Sequence, residues 1–302
     1  MKRSLFCILA LTGLLAGCAV SRPADAIRVG SYNIRLSKGD IGTPNAWENR
    51  KEDLVALVKK LDLDAFGMQE VCPDQAKYLR ENLPEFAFVG DHRGADRKTD
   101  EASPVFYRKS RFEAEESGTF WLSETPDVPA SKSWNTACTR VCSYLILKDR
   151  TTGKRFCFAN THTDHKSAEA REKGMLLIVR RMKEFGAGAP IVFTGDHNCH
   201  YDDAPAAAVR QILKDARDIT ETPARGSHNT FQGFGKYKDG PVDLNGKTFE
   251  DYCIDYIYVS DGTRVLDFTT HDDKRPGTDL YPSDHFPITA TIELDRDGVV
   301  TP

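Results

Sequence analysis

Acidic, amide and imidazole side chains collect at the ends of apolar runs in this 302-residue chain. Asn33 lies near the end of "IRVGSYNIR", Glu70 closes "LDAFGMQE", and Asn160 and His162 stand in "RFCFANTHT". Asp196 and Asn198 close "APIVFTGDHN", and Asp255 sits in "CIDYIYVS". One more station, "YPSDHFPI", sets Asp284 beside His285 between two prolines. Adjacent side chains of an extended backbone point to opposite faces, so those two residues address different partners. If the stations share one edge, several carboxylates converge, and protons or a cation must relieve their repulsion. Oxygen donors suit magnesium or manganese, whereas zinc takes several His and Cys ligands. Glu70 and Asp284 are the natural metal carboxylates, with Asn33 close by.

The elements that must carry these residues follow from apolar periodicity. Short apolar runs alternate with amphipathic stretches from Ile27 onward, which favours a layered α/β architecture. "IRVGSYNIR" reads as a strand, "WENRKEDLVALVKKLD" as a helix and "LDAFGMQE" as a strand, with a second helix from about Pro73. Strands are expected at 86–90, 103–108, 112–121, 141–149 and 155–162, helices at 167–184 and near 204–214, and a strand at "APIVFTGDHN" between them. "CIDYIYVS", "RVLDFTTH" and "FPITATIEL" close the chain as strands. No internal repeat or Gly/Ser linker divides residues 27–302, so one domain is expected. Of the loops 91–102, 123–137, 221–250 and 271–283, the third is long enough to imply function rather than mere connection. Loops 91–102, 221–250 and 271–283 are expected to decide the substrate.

The first residues, "MKRSLFCILALTGLLAGC", have the layout of a secretory signal: two basic residues, an apolar run from Leu5 to Ala16, then small residues. "LAGC" resembles a bacterial lipobox, which implies cleavage before Cys18 and a lipid on that cysteine. Residues 1–18 are then a leader and 19–26 a tether, and the domain is exported and lipid-anchored at a periplasmic or cell-surface face. A formal charge of −4 argues against a protein that grips nucleic acid through many phosphates. The six remaining cysteines could pair in an oxidising compartment, although Cys157 and Cys253 lie in strand-like runs and read as buried small hydrophobes.

Taken in order, "SYNIR", "MQE", "PVFYRK", "NTHTDH", "GDHN", "IDYIYVS" and "SDHFPI" resemble the endonuclease/exonuclease/phosphatase superfamily of metal-dependent phosphoesterases. The resemblance implies a four-layered α/β sandwich, with two central, mostly antiparallel sheets flanked by helices. It also implies phosphate-ester cleavage with Mg2+ or Mn2+. Carried over residue by residue, it makes Glu70 the principal metal ligand, helped by Asn33 and Asp284. Asp196 and Asn198 would position or deprotonate the attacking water, His162 and His285 would hold phosphate oxygens, and Tyr107 would hydrogen-bond the same group. Asp255 would stand behind His285 and fix its tautomer. Arg140 is a separate candidate for clamping a phosphate, because a guanidinium matches two oxygens at once. His165, His197 and His200 read as exposed or supporting residues, Phe231 and Phe234 as loop packing, and Glu101 as a residue that could reach the metal or a histidine.

His197 and Thr163 depart from the pattern, in positions that should face away from the catalytic groups. Local packing or a second metal near His197 is the open point there. A binuclear zinc hydrolase is the first rival, since "NTHTDH" is one residue from H-x-H-x-D-H; a non-catalytic surface lipoprotein is the second. The expected substrate is a small phosphorylated compound (a sugar or inositol phosphate, a nucleotide or a lipid head group), with a nuclease acting on DNA or RNA as the alternative. A monomer is expected.

Overall fold

The computed structural model describes residues 22–237 and 252–294. The expected leader, Cys18, residues 19–21 of the tether and 238–250 of the third loop lie outside the described residues. The elements in chain order are β1 (Ile27–Asn33), α1 (Trp47–Lys60), β2 (Ala65–Gln69), α2 (Pro73–Asn82), β3 (Phe86–Val89) and β4 (Val105–Arg108). Next come β5 (Phe112–Trp121), β6 (Val141–Asp149), β7 (Arg155–His162), α3 (Ala168–Gly186), β8 (Ile191–Asp196) and α4 (Ala204–Arg210). The described chain ends with β9 (Lys214–Asp215), β10 (Asp255–Val259), β11 (Arg264–Thr270) and β12 (Ile288–Glu293). The helix expected near 204–214 stops at Arg210, because Lys214 and Asp215 pair with Val259 and Tyr258 as an edge strand.

Two six-stranded mixed sheets form the centre, in the orders β11-β12-β1-β2-β4-β3 and β5-β6-β7-β8-β10-β9. Each sheet has one parallel pair, β1–β2 or β7–β8, in its middle, and its other neighbours run antiparallel. A parallel pair needs a crossover, and α1 and α3 supply it. The helix α1 buries Trp47, Leu54, Val55 and Val58 at helical spacing on the outer face of the first sheet, while α3 buries Met175, Ile178, Val179 and Met182 on that of the second. Val29, Ala65, Phe158, Val192, Ile257 and Ala290 meet between the sheets. The layers are therefore helix, sheet, sheet, helix.

A polar pin crosses this inner core. Asn160 is fully buried; its Nδ2 donates to Met68 O (2.8 Å) and Pro104 O (2.9 Å), and its Oδ1 accepts from Gln69 Nε2 (2.7 Å). All of these bonds reach from the second sheet into the first, so Asn160 holds the sheets together rather than facing substrate. It also lacks the imidazole that a zinc hydrolase would need there. The end of the expected tether is docked: Arg22 pairs with Asp64 at 3.0 Å and Ala26 is buried. All six cysteines among the described residues are free thiols, and Cys157 and Cys253 are buried as expected.

Candidate active site

The two parallel pairs deliver their C-terminal ends to one edge of the sandwich. Asn33 ends β1, Glu70 follows β2, and His162 and Asp196 end β7 and β8 in register with each other. Antiparallel strands contribute their starts instead: Asp255 opens β10 opposite Asp196, and Asp284 and His285 precede β12. This topology explains why some functional residues close an apolar run and others open one. The chain must turn sharply there, and Arg35, Glu70 and Asn198 adopt positive φ of 57°, 63° and 47°. Asparagine tolerates that region; a glutamate does so at a cost of about 1–3 kcal/mol. Two hydrogen bonds keep the Glu70 carboxylate aimed, from Asn33 Nδ2 to Oε1 (3.2 Å) and from Leu36 N to Oε2 (2.9 Å).

A cavity of about 640 Å³ opens at this edge, lined by Glu70, Asp196, Asp284, Arg93, Arg140 and His162 among others. Asn33 Nδ2 also donates to Asp196 Oδ2 at 2.9 Å, so one amide ties carboxylates from both sheets together. Burial pushes Asp284 above the usual carboxylate range, with the Glu70 charge adding to it. Burial and then the Asp255 charge push Asp196 up to about 7. Crowding of carboxylates that Arg35 and His285 offset only in part is what a divalent ion would relieve, and the donors beside Glu70 are hard oxygens.

His285 donates from Nδ1 to Asp255 Oδ2 at 2.8 Å, and its Nε2 lies 3.6 Å from Asp196 Oδ2. Burial opposes a charged imidazole, but the Asp255 carboxylate outweighs it and raises His285 to about 10. With both nitrogens protonated, His285 has no lone pair for a metal. Although ligand-type atoms of Asp196, Asp255 and His285 lie within 4.8 Å of one another, this trio is a hydrogen-bonded relay ending in a cationic donor. His162 is its opposite. Burial, then the charges of Arg140 and His285, hold it well below its ordinary value and keep it neutral. Asn198 Nδ2 donates to Thr163 O (3.1 Å) and to His162 Nε2 (2.9 Å), which leaves the imidazole proton on Nδ1.

Cys138, Asp164 and His165 form a second group whose ligand-type atoms lie within 4.8 Å. It suits a cation poorly. Asp164 already accepts from Thr136 Oγ1, Ala137 N, Lys166 N and Ser167 N, and guanidinium nitrogens of Arg93 and Arg140 lie 3.6 Å from Cys138 Sγ and 3.3 Å from His165 Nδ1.

The sequence profile of the endonuclease/exonuclease/phosphatase family matches residues 30–285. The chain belongs to this family. A Bacteroides vulgatus structure described by the family name is 33% identical, with a TM-score of 0.81 and coverage of 89% of this chain and 99% of that one. The mannosyl-6-phosphatase of Bacteroides thetaiotaomicron is 34% identical, with a TM-score of 0.77 and coverage of 88% and 99%. Nocturnin of Drosophila melanogaster is 22% identical over 330 aligned positions, which cover 92% of this chain and 48% of that protein. The chain thus spans about half the length of that curated relative. As a family member the protein is a hydrolase of phosphoester bonds.

Most residues singled out from the sequence meet at this edge: Asn33 bonds Glu70 and Asp196, and Glu70, Arg140, His162, Asp196, Asn198, Asp284 and His285 line the cavity, with Asp255 behind His285. Asp284 and His285 do face different partners, Arg35 Nε at 3.7 Å for the first and Asp255 for the second. Tyr107 is a correction. Because β4 runs antiparallel to β2, Tyr107 lies opposite Ala65, at the far end of β2 from Glu70, and packs against the inner core. His197 is also settled: it is buried against Phe193 (4.7 Å between centroids), Tyr256 and Tyr258, so packing and not a second metal explains it.

Other corrections concern the surroundings of the site. His165, His200 and Phe231 line the cavity, which fits the reading of the two histidines as exposed or supporting, and loop 271–283, expected to help decide the substrate, does not. That loop is tied to α1 instead, through Arg275 to Asp53 (2.7 Å) and Lys60 to Asp273. Arg93, Arg35 and Tyr252 line the cavity without having been singled out. Arg93 sits in a charge-rich stretch, "DHRGADRKTDE", where nothing distinguishes it from a solvated arginine.

Proposed function

We propose that this protein is an exported, magnesium-dependent phosphoesterase that acts on a small phosphorylated compound, with a sugar phosphate as the favoured class. The observation that carries this is the single Asn33 amide bridging Glu70 and Asp196, with His162 and His285 at 3.4 Å and 3.6 Å from the same Asp196 oxygen. Glu70, Asp284 and Asn33 would hold the divalent cation, which supplies charge to the phosphoryl oxygens when bound. Asp196, oriented by Asn33 and by Asn198 N (3.0 Å), accepts a proton from the attacking water. The water oxygen bonds to phosphorus, the bond from phosphorus to the ester oxygen breaks, and the departing alkoxide takes a proton from solvent. His285 donates from Nε2 to the phosphoryl oxygens, and Arg140 adds a second cationic contact. The neutral His162 buttresses Asn198 and is not itself the charge carrier.

The mannosyl-6-phosphatase relative supports a sugar phosphate, and the acidic chain disfavours long nucleic acid. Export and lipid attachment at Cys18 belong to the same reading, as does a monomer. Hydrolysis of p-nitrophenyl phosphate, sugar 6-phosphates and plasmid DNA, with magnesium or with EDTA, tests the proposal. Magnesium-dependent release of phosphate from the sugar esters supports it; turnover confined to DNA, or unaffected by EDTA, overturns it. Mass spectrometry of the mature protein checks the lipid.

A further inference from the structure

Arg140 stands immediately before β6 with 6% of its surface exposed, and it lines the cavity beside His162. Among the described residues no carboxylate lies within ion-pair distance of it. Its Nη2 reaches His165 Nδ1 at 3.3 Å, and its Nε is buried without a partner. Its neighbour Arg93 differs, being neutralised by Glu101 and Asp100, each at 3.0 Å. Glu101, whose carboxyl burial pushes up, forms its ion pair with Arg93 and feels the Arg140 charge only from beyond ion-pair distance. A buried, unpaired cation is costly, and its persistence at a cavity wall points to an anion that pairs with it when bound.

The same cavity already offers a phosphate group other partners. His285 would take one non-bridging oxygen, and the ion that Glu70 and Asp284 would hold supplies further positive charge there. A diester offers two such oxygens and one negative charge; a monoester dianion offers three oxygens and two charges. We propose that Arg140 makes this site select phosphate monoesters over diesters, by pairing with the oxygen that in a diester carries the second organic group. The inference rests on the phosphoesterase reading above and narrows it. A diester bound in the same orientation would press an uncharged substituent against a buried guanidinium, leaving its N–H groups unpaired.

Two measurements on the intact magnesium-loaded protein test this separately from hydrolysis itself. Calorimetry compares methyl phosphate with dimethyl phosphate, and steady-state kinetics compare p-nitrophenyl phosphate with bis-p-nitrophenyl phosphate, for wild type, Arg140→Gln and Arg140→Lys. Wild type should prefer the monoester in both. Arg140→Gln should lose about 10²-fold on the monoester, and at least tenfold less on the diester, with Arg140→Lys in between because it keeps the charge but not the fork. Melting curves and magnesium affinity like those of wild type show that the variants are folded. Equal losses on both esters, or a wild type that prefers the diester, overturn the inference while leaving a phosphoesterase in place. Tight, Arg140-dependent binding of methyl phosphate with no turnover of either ester would uphold it and overturn the hydrolase reading.

Discussion

The pair formed by His285 and Asp255 makes a pH prediction that can be worked from the geometry. Burial pushes the His285 imidazole down, and its charge is owed first to Asp255 through the 2.8 Å hydrogen bond, with smaller help from Asp196 and Asp284. Asp255→Asn keeps the shape and removes the largest favourable charge, so the His285 pKa falls from about 10 toward its ordinary 6.5. At pH 8 the protonated fraction drops from nearly all toward about 3%, the value for an imidazole at 6.5, which predicts a loss of kcat/KM of up to ~30-fold if His285 must donate. The same substitution acts on the base. Asp196 is raised to about 7 partly by the Asp255 charge, so its pKa falls as well. Asp196 must be ionised to accept a proton, and activity is therefore lost as pH falls through its pKa, at or below about 7 in wild type. His285 must be protonated to donate, so activity is lost as pH rises through about 10. Both limbs of the bell should move to lower pH in Asp255→Asn, with part of the activity recovered near pH 5–6. The assay is kcat/KM against pH on p-nitrophenyl phosphate, with the His285 imidazole titrated by NMR. An alkaline limb that stays near 10 in the variant would refute the reasoning.

Three further outcomes follow from the same structure. Magnesium should raise the melting temperature, because the half-buried Glu70 and the buried Asp196 and Asp284 repel one another without it; saturation to 100 Kd corresponds to about 2.7 kcal/mol, and a melting point indifferent to magnesium would contradict this. Arg50, 1% exposed, donates to Ile34 O (2.6 Å), Arg35 O (2.8 Å), Pro282 O (3.0 Å) and Asn45 O (2.9 Å), tying the backbone beside Asn33 to that beside Asp284. Arg50→Met should cost about 3–5 kcal/mol in urea unfolding and weaken magnesium binding in calorimetry, whereas a change below 1 kcal/mol would mean the carbonyls find other donors. Tyr107→Phe should leave kcat/KM within about twofold, since its ring lies against the inner core; a loss of tenfold or more would return Tyr107 to the site.

Much of this was legible because local and global signals agree. Each apolar run that ends in a polar residue became a strand end, and the order of the motifs matches the order in which the elements reach the edge. What stayed hidden is information that periodicity does not carry. Asn33 and Asp196 are 163 residues apart, and their contact exists only because two sheets stack with their parallel pairs in register. Tyr107 was misplaced for a related reason: a motif names a strand but not which of its ends faces the site, and only the antiparallel pairing of Tyr107 with Ala65 decides that. Arg93 and Arg140 look alike as residues in polar stretches, yet one is neutralised by two carboxylates and the other by none within reach among the described residues. The difference lies in which loops pack beside them, and loops are where sequence pattern is weakest. The residues proposed to bind the cation and activate water could therefore be picked out from motifs, while the pairing that sets Arg93 apart from Arg140 needed the fold. Function in this family divides along that same line, because a shared edge of converging strands can support one reaction while the loops around it change the molecule it accepts.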